Sequence, residues 1–220
     1  GIRDDLVTGV QTCALPIYWG YQGTLIEANA ISPMRLRDIA KKLEASGVQV
    51  IDGSVIGGPV WPGEGALSSV LACSGKGADA FAALFEETGF EGRVVSTDLG
   101  DASSLKMVFA ALTKGSIALI AEILNVAEQL GVRSELEKLW GDQATQQRHN
   151  QVSTNAAKAW RFAGEMREIS RTFSEVGAAL GFHEAAAQVF ERLESHKDWV
   201  ERPSLNALLS SLSSQDIEEK

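Results

Sequence analysis

The chain has 220 residues, 45% of them hydrophobic, with a net charge of −9 at neutral pH and no basic cluster. That suits a globular protein of one large or two small domains, and it argues against nucleic acid or an anionic membrane surface as a partner. Cys13 and Cys73 are too few for a disulfide framework or a thiolate metal site, and His149, His183 and His196 stand at no ligand spacing, so no metal is expected.

Residues 1–17 read GIRDDLVTGVQTCALPI. Val7 to Ile17 is similar to the in-frame translation of a common sequencing-adapter oligonucleotide. A signal peptide is the other reading, and it fails because no basic region precedes an unbroken apolar core. The expectation is a non-native, unpacked segment, with the natural sequence beginning near Tyr18 and its upstream part lost. Without Cys13 the chain keeps Cys73 alone, as in an ordinary cytoplasmic protein.

From Tyr18 the elements follow in order. Residues 23–29 read as a short buried strand. Ser32-Pro33 opens a helix, Ser as N-cap and Pro at the first helical position, with Leu36, Ile39, Ala40 and Leu43 at helical spacing and Gly47 as its stop. Residues 48–53 form a second strand, followed by a Gly/Pro-rich loop over 56–63. Strands are predicted at 67–73 and 93–96, with a helix over 78–88 between them. Strand-helix-strand, twice, indicates an α/β layer with at least some parallel pairing.

Beyond Gly100 nearly everything to Leu212 reads as helix: 103–130, 134–140, 155–176, 184–193 and a last helix after Pro203. The domains are thus 18–100 and 101–212, with a polar tail over 213–220. The 103–130 helix is apolar round much of its circumference, which predicts a buried position at the centre of the helical domain. Lys106, Lys114, Glu122, Asn125 and Glu128 interrupt it, so it does not read as a membrane span. Lys106 stands among Leu105, Met107, Val108 and Phe109. Such surroundings suit a Lys to proton transfer, or let it snorkel from a helix end. His183 reads as a partly buried structural histidine.

The order of these segments resembles the second half of the β-hydroxyacid dehydrogenases, the group that includes 3-hydroxyisobutyrate and 6-phosphogluconate dehydrogenases. It looks most like a phosphogluconate dehydrogenase-like branch with a C-terminal domain of unknown function. The resemblance covers residues 23–193. It implies a partial Rossmann α/β layer (second half only) followed by an all-α 6-phosphogluconate dehydrogenase C-terminal-like domain.

Glu27-Ala28-Asn29-Ala30-Ile31-Ser32-Pro33 is similar to the family segment bordering the nicotinamide, which gives Asn29 to the cofactor. Asp52-Gly53-Ser54-Val55-Ile56-Gly57-Gly58 resembles the loop whose backbone receives the substrate carboxylate, which gives Ser54, Gly57 and Gly58 to the substrate; Ile56 stands where the family has Ser. Lys106 falls where the family has its catalytic Lys, and Ala110 where it has Asn. Glu165-Met166-Arg167-Glu168-Ile169 is similar to a late segment reaching the cofactor side, which gives Arg167 and Glu168 to the cofactor. The same residues also read as plain structure: a turn Asn, a Gly-Gly turn, a solvated helix face.

The Gly-x-Gly-x-x-Gly fingerprint of dinucleotide binding is absent from residue 18 onward. The resemblance implies a parent enzyme that oxidises a small hydroxy acid with NAD or NADP, works as a homodimer through its helical domain, and is represented here by a fragment expected to be inactive. The rival expectation is a non-catalytic helical dimerisation module on a degenerate α/β layer.

Overall fold

The computed structural model describes residues 18, 20–58, 69–86, 88, 90–179, 181–197, 199 and 201–213. The expectations for 1–17, for most of the 56–63 loop and for the 214–220 tail lie outside the described residues. The chain divides into two compact units, 1–109 and 110–220.

In the first unit, β1 (Thr24–Glu27) leads to α1 (Pro33–Glu44), β2 (Gln49–Ile56), β3 (Val70–Ser74), α2 (Ala78–Ala83) and β4 (Glu91–Ser96). The sheet order is β1-β2-β3-β4. The pairs β1/β2 and β3/β4 are parallel, and β2/β3 is antiparallel. The sequence indicates at least some parallel pairing, and β1/β2 and β3/β4 have it. The antiparallel pair is joined through residues 57–69, most of which lie outside the described residues.

Helix α1 begins as its sequence indicates: Ser32 Oγ accepts from the Arg35 backbone N–H, and Pro33 takes the first position. Leu36, Ile39, Ala40 and Leu43 bury themselves against Ile31, Val48 and Val50. Helix α2 is shorter than predicted. After Ala83 the backbone tightens into i→i+3 hydrogen bonds at Leu84, Phe85 and Glu86. Phe85 then sits edge-on to both Phe81 and Phe90, at centroid distances of 5.3 and 6.0 Å.

Helix α3 (Asp101–Gln129) starts in this unit. Its first turn is fastened to the sheet by Asp52 of β2, which is fully buried. Asp52 Oδ2 accepts from the Ser103 backbone N–H at 2.8 Å and from Ser74 Oγ at 3.0 Å, and Oδ1 accepts from Ser103 Oγ at 2.7 Å. Ser74 Oγ in turn accepts from the Ala102 N–H at 3.0 Å. A helix N-terminus leaves four backbone donors without intrahelical acceptors and carries partial positive charge, and a carboxylate answers both. Gly100 enters this turn at φ +105°, and a Cβ there would stand 2.9 Å from the Arg37 guanidinium.

The second unit holds the rest of α3 and then α4 (Arg133–Trp140), α5 (Asp142–Asn155), α6 (Ala159–Glu175), α7 (Gly181–Arg192) and α8 (Leu205–Ser213). Helix α5 is the element that sequence reading missed. Its sequence, DQATQQRHNQVSTN, shows no apolar stripe, and Val152 is its one fully buried residue. Helix α3 departs from the expected central burial. One face, with Ile117, Ala118, Ala121 and Leu124, is buried, while Leu112, Leu119, Val126 and Leu130 on the other are exposed.

By length and composition α3 could cross a membrane. Its polar fastenings are those of a core helix: Asn125 is buried and accepts from Gln129 and from Ser213 of α8, both at 2.9 Å. The second unit also encloses two histidines. His183 lies between the rings of Phe173 and Phe182, and His196 Nε2 meets Ser211 Oγ at 2.9 Å. Neither Nδ1 atom has a hydrogen-bond partner among the described residues.

Asp52→Ala would leave three donors facing no acceptor. Urea unfolding should show a loss of about 2–4 kcal/mol, with Asp52→Asn, which keeps the shape and one acceptor, losing less. For the helical unit, burial holds both imidazoles below their ordinary 6.5. Groups with depressed folded values favour the folded state above the unfolded value and lose that contribution as pH falls toward the folded one. The denaturation midpoint should therefore drop as pH goes from about 7 to 5, and His183→Gln with His196→Gln should flatten that slope.

Candidate active site

Open α/β sheets bind ligands outside the carboxyl ends of their parallel strands, and five of the residues singled out from sequence lie in the α/β unit. β1 ends at Glu27, the register partner of Asp52. Glu27 is a buried carboxylate in a strand whose other residues are apolar or Thr. It accepts from the Asn29 backbone N–H at 2.9 Å and from Asn29 Nδ2 at 2.5 Å. Asn29 is exposed. With its amide nitrogen held by Glu27, the side chain offers its carbonyl oxygen as an acceptor.

β2 runs four residues past Asp52. Ser54 lies on the same strand face as Asp52, since side chains alternate. It is fully buried, and among the described residues its Oγ has no hydrogen-bond partner. Gly57 and Gly58 follow, both exposed. Gly57 adopts φ +123°, which only glycine takes without strain, and a Cβ at Gly58 would meet nothing within 4 Å. The Gly58 carbonyl accepts from Ser69 Oγ, which ties this turn to the residue before β3. The backbone here is fixed on one side and open on the other, as an anion cradle requires.

Lys106 is half-buried on α3, between exposed Leu105 and buried Met107. It follows Ser103 by three residues and so shares that side of the helix. The Asp52–Ser103 bonds therefore fix the rotation of the helix about its axis, and with it the bearing of Lys106. Ala110, one turn on, is buried.

Arg167 and Glu168 lie on α6 in the helical unit. Adjacent helix residues point about 100° apart, and these two part accordingly. Arg167 pairs with Glu191 at 2.6 Å and with Glu184 at 4.0 Å, while Glu168 is buried and bonded to Arg171. Both are engaged within the unit. The carry-over from the family's late segment rests on sequence position, which does not report such pairs.

Several polar groups escaped sequence reading. Glu27 and Asp52 are carboxylates at the carboxyl-end side of the parallel pair, and an acid inside an apolar strand is the signal that marks them. Lys114 of α3 and Glu165 of α6 pair at 2.6 Å, with side chains only 16% and 19% exposed, and Lys114 Nζ stands 5.2 Å over the Phe162 ring. Cys73 is no nucleophile at neutral pH: burial, with the Asp52 charge adding to it, pushes its thiol up to about 11. Among the described residues no three His, Cys, Asp or Glu gather at metal-binding distance.

Comparison with known proteins bears on this arrangement. A family described as a domain of unknown function (DUF1932) matches residues 121–193. An uncharacterized 28.5 kDa protein of Methanothermus fervidus is 30% identical over 115 residues, 52% of this chain. The chain spans 42% of the length of that relative. A conserved hypothetical protein from Sinorhizobium meliloti 1021 superposes with a TM-score of 0.70 at 22% identity, covering 94% of this chain and 72% of the other. The conserved protein MTH1747, of unknown function and structurally similar to 3-hydroxyacid dehydrogenases, gives 0.62 at 23% identity, covering 86% and 73%. A 3-hydroxyisobutyrate dehydrogenase from Salmonella typhimurium gives 0.57 at 16% identity, covering 93% and 76%. A mixed four-stranded sheet followed by a helical region is thus the hydroxyacid-dehydrogenase-like fold.

Proposed function

We propose that this chain is the substrate-binding and proton-transfer part of a cytoplasmic NAD(P)-dependent dehydrogenase acting on a small hydroxy acid. The observation that carries the reading is the position of Lys106, one turn from a serine that a buried carboxylate locks to the sheet. The hydroxyacid-dehydrogenase-like fold of the solved neighbours supports it.

The described residues fit one end of such a cofactor. Asn29, exposed and oriented by Glu27, offers a carbonyl acceptor suited to a carboxamide N–H. On this reading the Gly-rich turn that would cradle a pyrophosphate, absent from residue 18 onward, comes from outside this chain. When bound, the nicotinamide supplies the hydride acceptor.

The chain's own residues do the rest. The Gly57 and Gly58 amides hold the substrate carboxylate, and Ser54 supplies the nearby hydroxyl. Lys106 Nζ takes the proton from the substrate hydroxyl during oxidation and returns it during reduction. As the ammonium it also stabilises negative charge on that oxygen. Arg167 and Glu168 hold α6 in place through their ion pairs and act on the cofactor side only through that helix. Ile56 and Ala110 leave two family hydrogen bonds unmade. The exposed apolar face of α3 supports a homodimer through the helical domain, and that face also favours the second reading, a helical dimerisation module without catalysis.

One substitution separates the readings. In the chain joined to the half that supplies the Gly-rich turn, Lys106→Met keeps the apolar stem and removes the proton-transfer group. Steady-state turnover of 2- and 3-hydroxy acids should fall about 10²- to 10⁴-fold, with cofactor affinity nearly unchanged, while Lys114→Met should do far less. Equal turnover in Lys106→Met and the parent would take Lys106 out of the mechanism and leave the module reading ahead.

A further inference from the structure

Between α3 and α7 the helical unit holds an apolar groove of about 230 Å³. Small residues make the space: Ala118 of α3 and Ala185 and Ala186 of α7 line it, with Leu119 and Val189 beside them. Along α7 the lining runs from Phe182 to Arg192, ten residues or about 15 Å. Phe182 lies against Gly115 of α3, where a Cβ would stand 3.1 Å from its ring. One end of the groove is therefore aromatic, and the other carries a cation.

The cation is incompletely used. Both protein contacts of Arg192 are made by Nη1: the Leu212 carbonyl of α8 at 3.5 Å and Glu122 Oε1 at 3.9 Å. Both are longer than the usual N–H···O range of about 2.7–3.2 Å. Among the described residues Nε and Nη2 have no partner. That edge of the guanidinium presents two parallel N–H donors, the pair that a carboxylate accepts bidentately.

Glu122 is the carboxylate at hand, and it is held elsewhere. Its Oε2 accepts from Asn125 Nδ2 at 3.2 Å. Asn125 is buried, and its Oδ1 accepts from Gln129 and Ser213, both at 2.9 Å. With the amide oxygen committed on one side, the amide nitrogen faces Glu122 on the other and keeps it from closing on Arg192.

We propose that this groove binds a small monocarboxylate with an apolar body, of the size of octanoate. The carboxylate pairs with Nε and Nη2 of Arg192, and the body lies against Ala118, Ala185 and Val189 toward Phe182. The proposal does not rest on the catalytic reading. An apolar cavity of about 150 Å³ takes benzene, so a groove of about 230 Å³ suits a body of roughly nine carbons. An alkylamine would set its ammonium against the guanidinium, and a neutral alkyl ligand would leave both donors unfilled.

The test is isothermal titration calorimetry on this chain with octanoate, octylamine and octanol. Octanoate should bind, and octylamine should bind at least about tenfold more weakly. Arg192→Gln should weaken octanoate at least about tenfold and leave octanol unchanged. Arg192→Lys should recover only part of the loss, because an ammonium cannot bind a carboxylate as a fork. Ala185→Trp should fill the groove and abolish octanoate binding without lowering the unfolding temperature, since Ala185 is exposed. No binding at about 10 mM octanoate, equal affinity for octylamine, or indifference to Arg192→Gln would each overturn the proposal. A parent that binds no octanoate but forms a dimer that Ala185→Trp breaks would give the groove to a second copy. One that binds no octanoate but sediments with phosphatidylcholine vesicles would give it to a lipid surface.

Discussion

The α/β unit depends on a single buried acid. Asp52 faces opposing demands. Burial pushes its carboxyl above the ordinary 3.8, and the hydrogen bonds from Ser103 and Ser74 pull it back. A raised folded value means that the group favours folding below the unfolded value, and that this contribution is lost as pH rises through the folded one. At neutral pH the charged form of Asp52 is therefore harder on the fold than the protonated form would be. It is costly to truncate because the donors around it would be orphaned. What the acid supplies is position: one helix, one rotation, one place for its first turn.

That position could not be read from the sequence. Asp52 and Ser103 are 51 residues apart, and nothing local to either announces the other. Local signals did mark most elements. Ser32-Pro33 and Gly47 bracket α1 because caps and left-handed stops are properties of single residues. Helix α5 was missed for the converse reason: its polar sequence is helical by tertiary context and not by pattern, and Gly141 at φ +77° hides its start. The sequence indicated some parallel pairing without saying which pair runs antiparallel, because strand direction depends on the connection, which alternation within a strand does not encode. For Lys106 the neighbouring residues allowed proton transfer or a snorkelling helix-end Lys, and only the resemblance favoured the first. In the residues alone it is one Lys near a helix start.

Helix α3 shows how one apolar pattern can carry two meanings. Leu, Ile, Val and Ala round the whole circumference read as full burial, yet the structure assigns the small residues Ala118, Ala121 and Ala127 to the inside and leaves Leu112, Leu119 and Leu130 outside. Small residues let neighbouring helices approach closely, so size as well as hydrophobicity sorts the two faces. The inside face also carries the polar group that fixes register, Asn125, bonded to Gln129 and Ser213. Ser116 adds a second polar contact, accepting from Gln151 of α5.

The departures from the family pattern take on physical content in this setting. With Ile56 and Ala110 in place of hydrogen-bonding side chains, the residues proposed to orient a substrate shrink to the Gly57 and Gly58 amides, Ser54 and Lys106. Among the described residues the buried Ser54 hydroxyl has no partner, and an unpartnered buried hydroxyl costs about 1–3 kcal/mol. The fold tolerates that cost three residues before the open Gly57 turn, on the face where Asp52 has already set the helix carrying Lys106. A polar group left short of a partner at such a place is better suited to receiving one from a bound molecule than to holding the strand, because Ala in its position would serve packing at least as well.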